Sequence, residues 1–535
     1  MPIICMMNAV ALCFAGDVNS WAFKDVFNGK NSFENAVCAG ASFPCVSKIV
    51  VLAREADVKS GLFSTLNSAA SKNGAVETEI ISKTEWDADL FFNETSRASE
   101  GFDFSYLFWG DCPFLDVSLA SILKDRHEKY PAEYTYSDGR PYGLAPELFK
   151  AGALGVLAAL NNGSKDPVSR DIAFNVLQKD INSFDIETEI SPVDLRAHRV
   201  FLCADSKRGL LLLKRFVDLG FNGYMDAERL ILNEKQSLRT LPAFFSVQTS
   251  SSCPRECEIC PYPALKKDPS FTGEMPVEKF ASLMSKIEDF AGDGVIDVSL
   301  WGELSLHSES EKIVEAVLSR ESLALIIETS GFGWKDEVLE KITELVKKAE
   351  AVKAHRSFSL PPLSWIVSLD CDESGRYAPA EGEKTNEAVL FAQKLIKLFP
   401  KSAYVQAVRR AGFEDEIERF YKYWKTKTNN VIIQKYDVFG PKSDAEKEFD
   451  ISPVERESCW HIMRDMYIFL NGAVAVCKED LKALCGTPEL GVLGCVFTEN
   501  LESIWKKGEA LYAAHCEKKW EGVCAGCDEY YTFNF

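Results

Sequence analysis

A chain of 535 residues is too long for one ordinary hydrophobic core, so we expect about two to four domains. Its net charge of −20 gives no general basic field for following phosphates, which argues against nucleic acid as a partner. No apolar run reaches the roughly 18 residues of a membrane-spanning helix, and the apolar residues 1–16 lack the basic segment of a signal peptide. We therefore expect a cytoplasmic protein with reduced thiols and no membrane partner.

The first 205 residues alternate strand-like runs with helical patterns, which predicts an α/β domain over residues 1–205. The strand candidates are residues 8–16, 48–53, 106–111 and 199–205. Residues 206–240 are polar with a helical pattern, and we interpret them as a helical linker.

Alternation of strands and helices resumes over residues 241–450. Further strand candidates are residues 243–249, 295–302, 323–331, 364–370, 403–410 and 430–439. Between the first two, Phe280, Leu283, Met284, Ile287 and Phe290 recur at the spacing of one helix face. Repeated β–α units predict a parallel sheet, open or barrel-like, with functional side chains at the C-terminal strand ends.

The 17 cysteines are unevenly placed, and in a reducing compartment they suggest ligands or redox groups rather than disulfides. Seven are scattered among apolar neighbours, and we expect them to be small buried core residues: Cys5, Cys13, Cys38, Cys45, Cys112, Cys203 and Cys371. The other ten form one group of three and one group of seven, the latter between residues 459 and 527.

The group of three, Cys253, Cys257 and Cys260, directly follows a predicted strand. Most metal sites built on thiolates have four protein ligands. Three thiolates would leave one coordination position open, as a metal that binds a small molecule requires. The alternatives are a zinc site with its fourth ligand elsewhere, or free thiols.

This spacing resembles the CxxxCxxC signature of the radical SAM superfamily. The resemblance implies a [4Fe–4S] cluster on these cysteines, whose open iron binds S-adenosylmethionine. An electron from a flavodoxin- or ferredoxin-type donor would then yield a 5′-deoxyadenosyl radical. It also implies a partial (β/α)6 TIM-like barrel.

Later strand ends carry further parts of the resemblance. Trp301, Gly302 and Glu303 stand at the family's GGE motif, with Trp301 in place of the first glycine. Ile259 stands where the family has an aromatic residue. The resemblance implies that the cofactor or substrate is contacted by Gly302, Glu303, Ser330, Ser368 and Asp370.

Residues 451–535 are predicted to form a small domain held by metal. Cys477 follows a predicted hairpin with its turn at Asn471–Gly472, and Cys524 and Cys527 form a CxxC pair. With Cys459 these would complete a four-thiolate site, for which zinc is the alternative to iron–sulfur. The order resembles the SPASM or twitch extension of radical SAM enzymes, which implies an auxiliary [4Fe–4S] cluster. We expect Cys485, Cys495 and Cys516 to be core thiols or partial ligands.

The N-terminal domain resembles GT-A-like nucleotidyltransferases. That resemblance implies that Asp111, with Asp185 or Glu187, holds Mg²⁺, for which carboxylates are suitable ligands. The front loop has one glycine and no arginine between residues 13 and 25, so a degenerate domain that binds a nucleotide, sugar or partner is the alternative. The combination of domains resembles the spiro-SPASM subgroup.

Three functions therefore stay open. The first is a radical SAM enzyme acting on an unknown peptide, protein or small molecule. The second is a Mg²⁺-dependent nucleotidyltransferase for sugar activation with metal-binding appendages. The third is a non-catalytic metal-binding scaffold.

Overall fold

The structure is a computed structural model that describes residues 7–27, 29–70, 76–255, 257, 260–262, 272–352, 360–369, 387–437, 452–480 and 491–532. The chain divides into two compact units, Met1–Leu238 and Arg239–Phe535. Among the helices described, none has both the length and the apolar character needed to cross a bilayer.

The first unit is built on a sheet of seven strands in the order β5-β4-β1-β6-β8-β7-β9. Its strands, with a separate β2–β3 hairpin, are β1 (Ala9–Ala15), β2 (Asp25–Phe27), β3 (Lys30–Asn31), β4 (Val46–Arg54), β5 (Glu77–Lys83), β6 (Phe104–Trp109), β7 (Tyr134–Asp138), β8 (Glu147–Lys150) and β9 (Ile186–Ile190). Its helices are α1 (Ser32–Gly40), α2 (Glu55–Lys59), α3 (Leu66–Ala70), α4 (Ala88–Ala98), α5 (Val117–Lys129), α6 (Ala153–Asn161), α7 (Ile172–Leu177), α8 (Lys207–Asp218) and α9 (Tyr224–Asn233).

The central strands β1 and β6 are buried along their whole length, as continuous apolar runs in a parallel sheet predict. The strand predicted over residues 199–205 is wrong. Phe201 makes one isolated bridge to Tyr142, and Ala204 then donates its N–H to the carbonyl oxygen of Asp111 at 2.8 Å. The segment therefore crosses the strand ends instead of pairing along a strand.

The second unit has one sheet of nine strands in the order β15-β14-β13-β12-β11-β10-β16-β17-β18. The strands are β10 (Phe244–Val247), β11 (Gly294–Asp297), β12 (Leu323–Thr329), β13 (Leu363–Ser368), β14 (Ala403–Val408), β15 (Val431–Gln434), β16 (Asp465–Ile468), β17 (Ala473–Ala475) and β18 (Val492–Cys495). The helices are α10 (Val277–Ala291), α11 (Ser310–Leu318), α12 (Asp336–Ala351), α13 (Glu387–Leu398), α14 (Glu414–Lys425), α15 (Trp460–Arg464), α16 (Leu501–Lys507) and α17 (Glu509–Cys516).

Strands β10 to β15 are parallel neighbours in chain order, and helices α10 to α14 lie one between each pair in sequence. This confirms the predicted α/β class. Helix α10 buries Phe280, Leu283, Met284 and Ile287, the face that its periodicity predicts, while Phe290 packs partly buried against the same core. Strands β10 to β15 therefore point their C-terminal ends to the same edge of the sheet.

The last part of the chain continues this sheet. Strand β16 pairs in parallel with β10, and β17 and β18 follow in antiparallel order. Gly472 has φ +86° in the turn between β16 and β17, where Asn471–Gly472 predicts a hairpin. The predicted domain limits 206–240, 241–450 and 451–535 remain predictions. Strands β16, β17 and β18 belong to the same sheet and compact unit as β10.

Candidate functional site

A cavity of about 310 Å³ lies at the C-terminal strand ends of the second unit. Each of the strands β10 to β15, or the loop that follows it, contributes to its wall. The lining includes Cys253, Cys257, Cys260, Ser299, Gly302, Glu303, Ser330, Ser368, Val408 and Lys435. The structure thus gathers at one site residues that are up to 234 positions apart in the sequence, from Phe244 to Lys478.

The three cysteines of the loop after β10 all line this cavity. The N–H of Cys253 donates to the Tyr262 hydroxyl at 3.1 Å, and the N–H of Tyr262 donates to the sulfur of Cys260 at 3.5 Å. The N–H of Cys260 donates to the carbonyl oxygen of Cys257 at 3.1 Å. These bonds hold the described part of the loop so that its thiols face one space.

The chemistry of this donor set suits a metal cluster. Burial raises the pKa of Cys253 to about 11, so the free thiol is protonated at neutral pH and its use as a ligand releases a proton. Three thiols that line one cavity are a donor set that iron–sulfur clusters and zinc ions both use.

Gly302 lies where the loop after β11 presses against the segment that precedes Cys253. A Cβ at this position would lie 1.7 Å from the carbonyl oxygen of Ser250, a backbone atom. The next residue, Glu303, donates its N–H to the carbonyl oxygen of Ser252 at 2.7 Å. Glycine is therefore required here by close backbone approach.

The carboxylate of Glu303 is 3% exposed and is held from the end of β12. It accepts hydrogen bonds from the Thr329 hydroxyl, from the N–H of Ser330 at 2.9 Å and from the Ser330 hydroxyl at 2.8 Å. Burial raises the pKa of Glu303, and the hydrogen bonds from Thr329 and Ser330 oppose that rise. The result is a fixed carboxylate at the cavity wall that is suited to a cationic group.

Several cavity residues were not predicted from the sequence. Lys435 and Asp437 follow β15, and Lys478 directly follows Cys477. Lys478 donates to Asp437 at 2.9 Å, and Lys435 pairs with Glu529, two residues after Cys527. Two features of the sequence could have indicated these residues. Lys435 and Asp437 directly follow a predicted strand, and Lys478 is next to the predicted ligand Cys477. Asp370 and Ile259 lie outside the described residues.

The second cysteine group comes together in the same unit. Cys459, Cys477 and Cys524 are buried, and Cys527 is partly buried. Burial raises the pKa of Cys524 to about 11 and that of Cys527 to about 12. Burial also raises the pKa of Cys459, and the negative charges of Cys527 and Cys524 raise it further. The four thiols are therefore close enough to influence one another electrostatically.

The remaining cysteines have varied surroundings. Cys13, Cys112 and Cys203 are buried core residues as predicted. Cys38 is only partly buried, and Cys45 is exposed with φ +64°, so the prediction of a buried core position is wrong for these two. Cys45 lies in the turn directly before β4, and turns run over the protein surface, where side chains remain exposed. Cys495 and Cys516 are partly buried, and Cys516 accepts a hydrogen bond from Ser458 at 3.4 Å. Outside the described residues lie Cys5, Cys371 and Cys485.

In the first unit, Asp111 follows β6 and is 3% exposed. The Arg170 guanidinium donates to both carboxylate oxygens of Asp111, from Nη1 to Oδ1 at 3.1 Å and from Nη2 to Oδ2 at 2.5 Å. Its Nη2 also lies 3.8 Å from Oδ2 of Asp205. The Asp111 carboxylate therefore faces a guanidinium, which does not suit a magnesium ion, so we derive no metal chemistry at this position.

The structure does not bring Asp185 or Glu187 to Asp111. Strand β9 runs parallel to β7, and Asp185 precedes it, whereas Asp111 lies beyond the C-terminal end of β6. Glu187 instead pairs with Arg126 at 3.0 Å. Asp205, the second carboxylate near Arg170, was not predicted from the sequence. The sequence feature that could have indicated it is an apolar run ending in aspartate, the same feature that indicated Asp111. The Mg²⁺ assignment remains a prediction.

No family model matches the chain. The solved structure of BtrN in complex with AdoMet and 2-DOIA is 18% identical, covers 54% of this chain and 94% of its own, and has a TM-score of 0.33. A cytidylyltransferase from Leptospira borgpetersenii serovar Hardjo-bovis (strain JB197) is 15% identical, covers 43% of this chain and 96% of its own, and has a TM-score of 0.35.

A protein of Treponema pallidum (strain Nichols), described as uncharacterized, shares far more sequence with this chain. The two are 34% identical over 372 residues, which are 68% of this chain and 98% of the Treponema protein. The chain therefore belongs to the same protein family as this Treponema pallidum protein.

Proposed function

We propose that the second unit is a radical SAM enzyme. The observation that carries the proposal is the common cavity: Cys253, Cys257 and Cys260 line it together with the hydrogen-bonded carboxylate of Glu303. A cluster held by three thiolates keeps one coordination position for a small molecule. The bound cluster would supply the electron that cleaves the sulfonium of S-adenosylmethionine and releases a 5′-deoxyadenosyl radical.

The chain's own residues would bind and orient the cofactor. Cys253, Cys257 and Cys260 would hold the cluster as thiolates. Glu303, fixed by Thr329 and Ser330, would accept hydrogen bonds from the methionine ammonium, because a buried carboxylate gains most from a cationic partner. Gly302 would let the loop after β11 approach the segment that precedes Cys253. Ser368 would contact the ribose or substrate from the end of β13. Asp370 shares that proposed role.

We also propose a SPASM- or twitch-type auxiliary [4Fe–4S] cluster on Cys459, Cys477, Cys524 and Cys527. Their mutual electrostatic influence supports one shared site. Lys478 follows Cys477 and faces the cavity, so the auxiliary site adjoins the place where a substrate would react. A flavodoxin- or ferredoxin-type protein would deliver electrons. The substrate, a peptide, protein or small molecule, would be recognised by the charged wall of Lys435, Asp437 and Lys478.

The experiment is a measurement of iron, sulfide and zinc in anaerobically purified protein. We expect about eight iron and eight sulfide per chain, as for two [4Fe–4S] clusters. Replacing Cys253, Cys257 and Cys260 by alanine should remove about half of the iron, and replacing Cys524 and Cys527 should remove the other half. The matched control replaces the buried core residue Cys13 by alanine and should keep the full iron content. Zinc without iron would contradict the proposal.

A further inference from the structure

Trp301 has an unusual backbone for a large side chain. Its φ is +45°, in the left-handed region that residues other than glycine rarely adopt. The strain lies directly beside Gly302 and Glu303 at the cavity wall, and Trp301 is itself among the residues that line the cavity. Such a conformation persists only where the surroundings hold it in place.

The surroundings that hold Trp301 come from the hairpin that leads to Cys477. Its indole is stacked on the ring of Phe469, with centroids 5.7 Å apart and planes inclined by 24°. Trp301 is 8% exposed, and it shares a small hydrophobic cluster with Leu300, Tyr467 and Ala475. Phe469 lies between β16 and β17, and Cys477 follows β17 by two residues.

A side-chain amide strengthens the same connection. Gln248, which follows β10, donates its Nε2 to the carbonyl oxygen of Trp301 at 3.4 Å. Its Oε1 accepts from the N–H of Leu470 at 3.3 Å. The residue after β10 thus ties the strained loop and the hairpin together, five positions before Cys253.

We propose that Trp301 is a positioning residue that sets the hairpin of the auxiliary site against the loop that binds S-adenosylmethionine. Through the stack on Phe469, the position of Gly302 and Glu303 depends on the hairpin that ends at Cys477. The inference rests on the proposed function, because it concerns the cofactor that Glu303 would bind. Phe469 is not among the described residues that line the cavity, so we expect it to act through the side chains that it contacts, Trp301 among them.

The first test compares the KM for S-adenosylmethionine with kcat for 5′-deoxyadenosine formation. Trp301→Gly relieves the backbone strain and removes the stack, and we expect KM to rise about three- to tenfold, the range that an aromatic pair supports. Phe469→Leu should raise KM in the same direction, although Phe469 does not face the cofactor. Trp301→Phe should keep KM within about twofold of wild type, because a ring still stacks on Phe469.

The matched control is Trp424→Phe, which changes a fully buried tryptophan in α14 away from the cavity. It should lower stability without moving the KM. Equal KM values for wild type, Trp301→Gly and Phe469→Leu in an active enzyme would overturn the inference.

The second test does not depend on activity. In the metal-free full-length protein, the alkylation rate of Cys477 is followed by peptide mass spectrometry. Cys477 is 8% exposed, so a loosened hairpin should speed its labelling at least about threefold in Trp301→Gly and Phe469→Leu. Labelling of Cys13 in the first unit should stay constant.

If the wild type makes no 5′-deoxyadenosine, the proposed function fails, whereas the labelling still decides whether Trp301 holds the hairpin. Unchanged labelling of Cys477 would overturn the inference whatever the activity.

Discussion

Ser330 holds the carboxylate of Glu303 by two hydrogen bonds, from its backbone N–H at 2.9 Å and from its hydroxyl at 2.8 Å. If this carboxylate binds the methionine ammonium, Glu303→Gln should raise the KM for S-adenosylmethionine about 10- to 100-fold, because a hydrogen bond to a charged group is lost. Ser330→Ala should have a smaller effect in the same direction, since the backbone N–H remains. Steady-state kinetics measures both.

The matched control is Glu315→Gln, on the exposed side of α11, which should leave the KM unchanged. Identical KM values for wild type and Glu303→Gln would rule out the assigned role of Glu303.

Gly302→Ala should be far more harmful than its size suggests. The added methyl would meet the carbonyl oxygen of Ser250 at 1.7 Å, and a backbone atom cannot swing away. We expect a loss of about 3 kcal/mol in the free energy of unfolding, at the upper end of overpacking costs. The measurement is chemical denaturation of the metal-free protein. Gly526→Ala is the control, since a Cβ there has no neighbour within 4 Å; equal stabilities would argue against the close approach.

Arg170→Met should destabilise the first unit strongly. It removes the partner of Asp111, a carboxylate whose side chain is 4% exposed, and the cost of an uncompensated buried charge is about 3–5 kcal/mol. Millimolar Mn²⁺ should restore part of the lost melting temperature in this variant, because Asp111 and Asp205 would then face a cation again.

Wild type should not respond to Mn²⁺ in that melting experiment. The control is Arg126→Met, which breaks a partly exposed pair with Glu187 and should cost no more than about 1 kcal/mol. Stabilisation of wild type by Mn²⁺ would instead favour the predicted metal site at Asp111.

Glu147 should make the stability of the first unit depend on pH. Burial raises the pKa of Glu147 to about 7, while a hydrogen bond from the Tyr134 hydroxyl at 2.9 Å opposes the rise. The folded state therefore holds this proton more tightly than the unfolded state. Its stabilising contribution is complete below the unfolded pKa of about 4.5 and is lost as pH rises through about 7.

Glu147→Gln does not titrate, so its free energy of unfolding relative to wild type should increase as the pH rises from 5 to 8. The slope of that difference is at most about 1.4 kcal/mol per pH unit. Thermal unfolding across this range measures it, with the exposed Glu100→Gln as control. A difference that does not change with pH would show that Glu147 does not titrate there.

The sequence was sufficient to predict the elements whose periodicity is strong. The buried runs of β1 and β6 and the apolar face of α10 occur where expected, because burial of a regular pattern determines both. The segment 199–205 has the same composition as a strand, but it crosses strand ends. Its backbone bonds to Tyr142 and Asp111 are tertiary and leave no local pattern.

In the candidate site, too, local patterns could be predicted from the sequence and long-range contacts could not. The spacing of Cys253, Cys257 and Cys260 is local, so the sequence could predict that they act together. The pairing of Lys478 with Asp437 joins residues 41 positions apart, and the partner of Asp111 is 59 positions away. Such pairs depend on the order of strands in the sheet, which composition and periodicity do not determine.

The most direct test of a radical SAM activity is formation of 5′-deoxyadenosine by anaerobic protein given S-adenosylmethionine and a strong reductant. We predict that the wild type forms it, that the variant with alanine at Cys253, Cys257 and Cys260 does not, and that Cys524→Ala retains measurable cleavage. Absence of 5′-deoxyadenosine from wild-type protein that contains its full iron and sulfide would contradict the central claim.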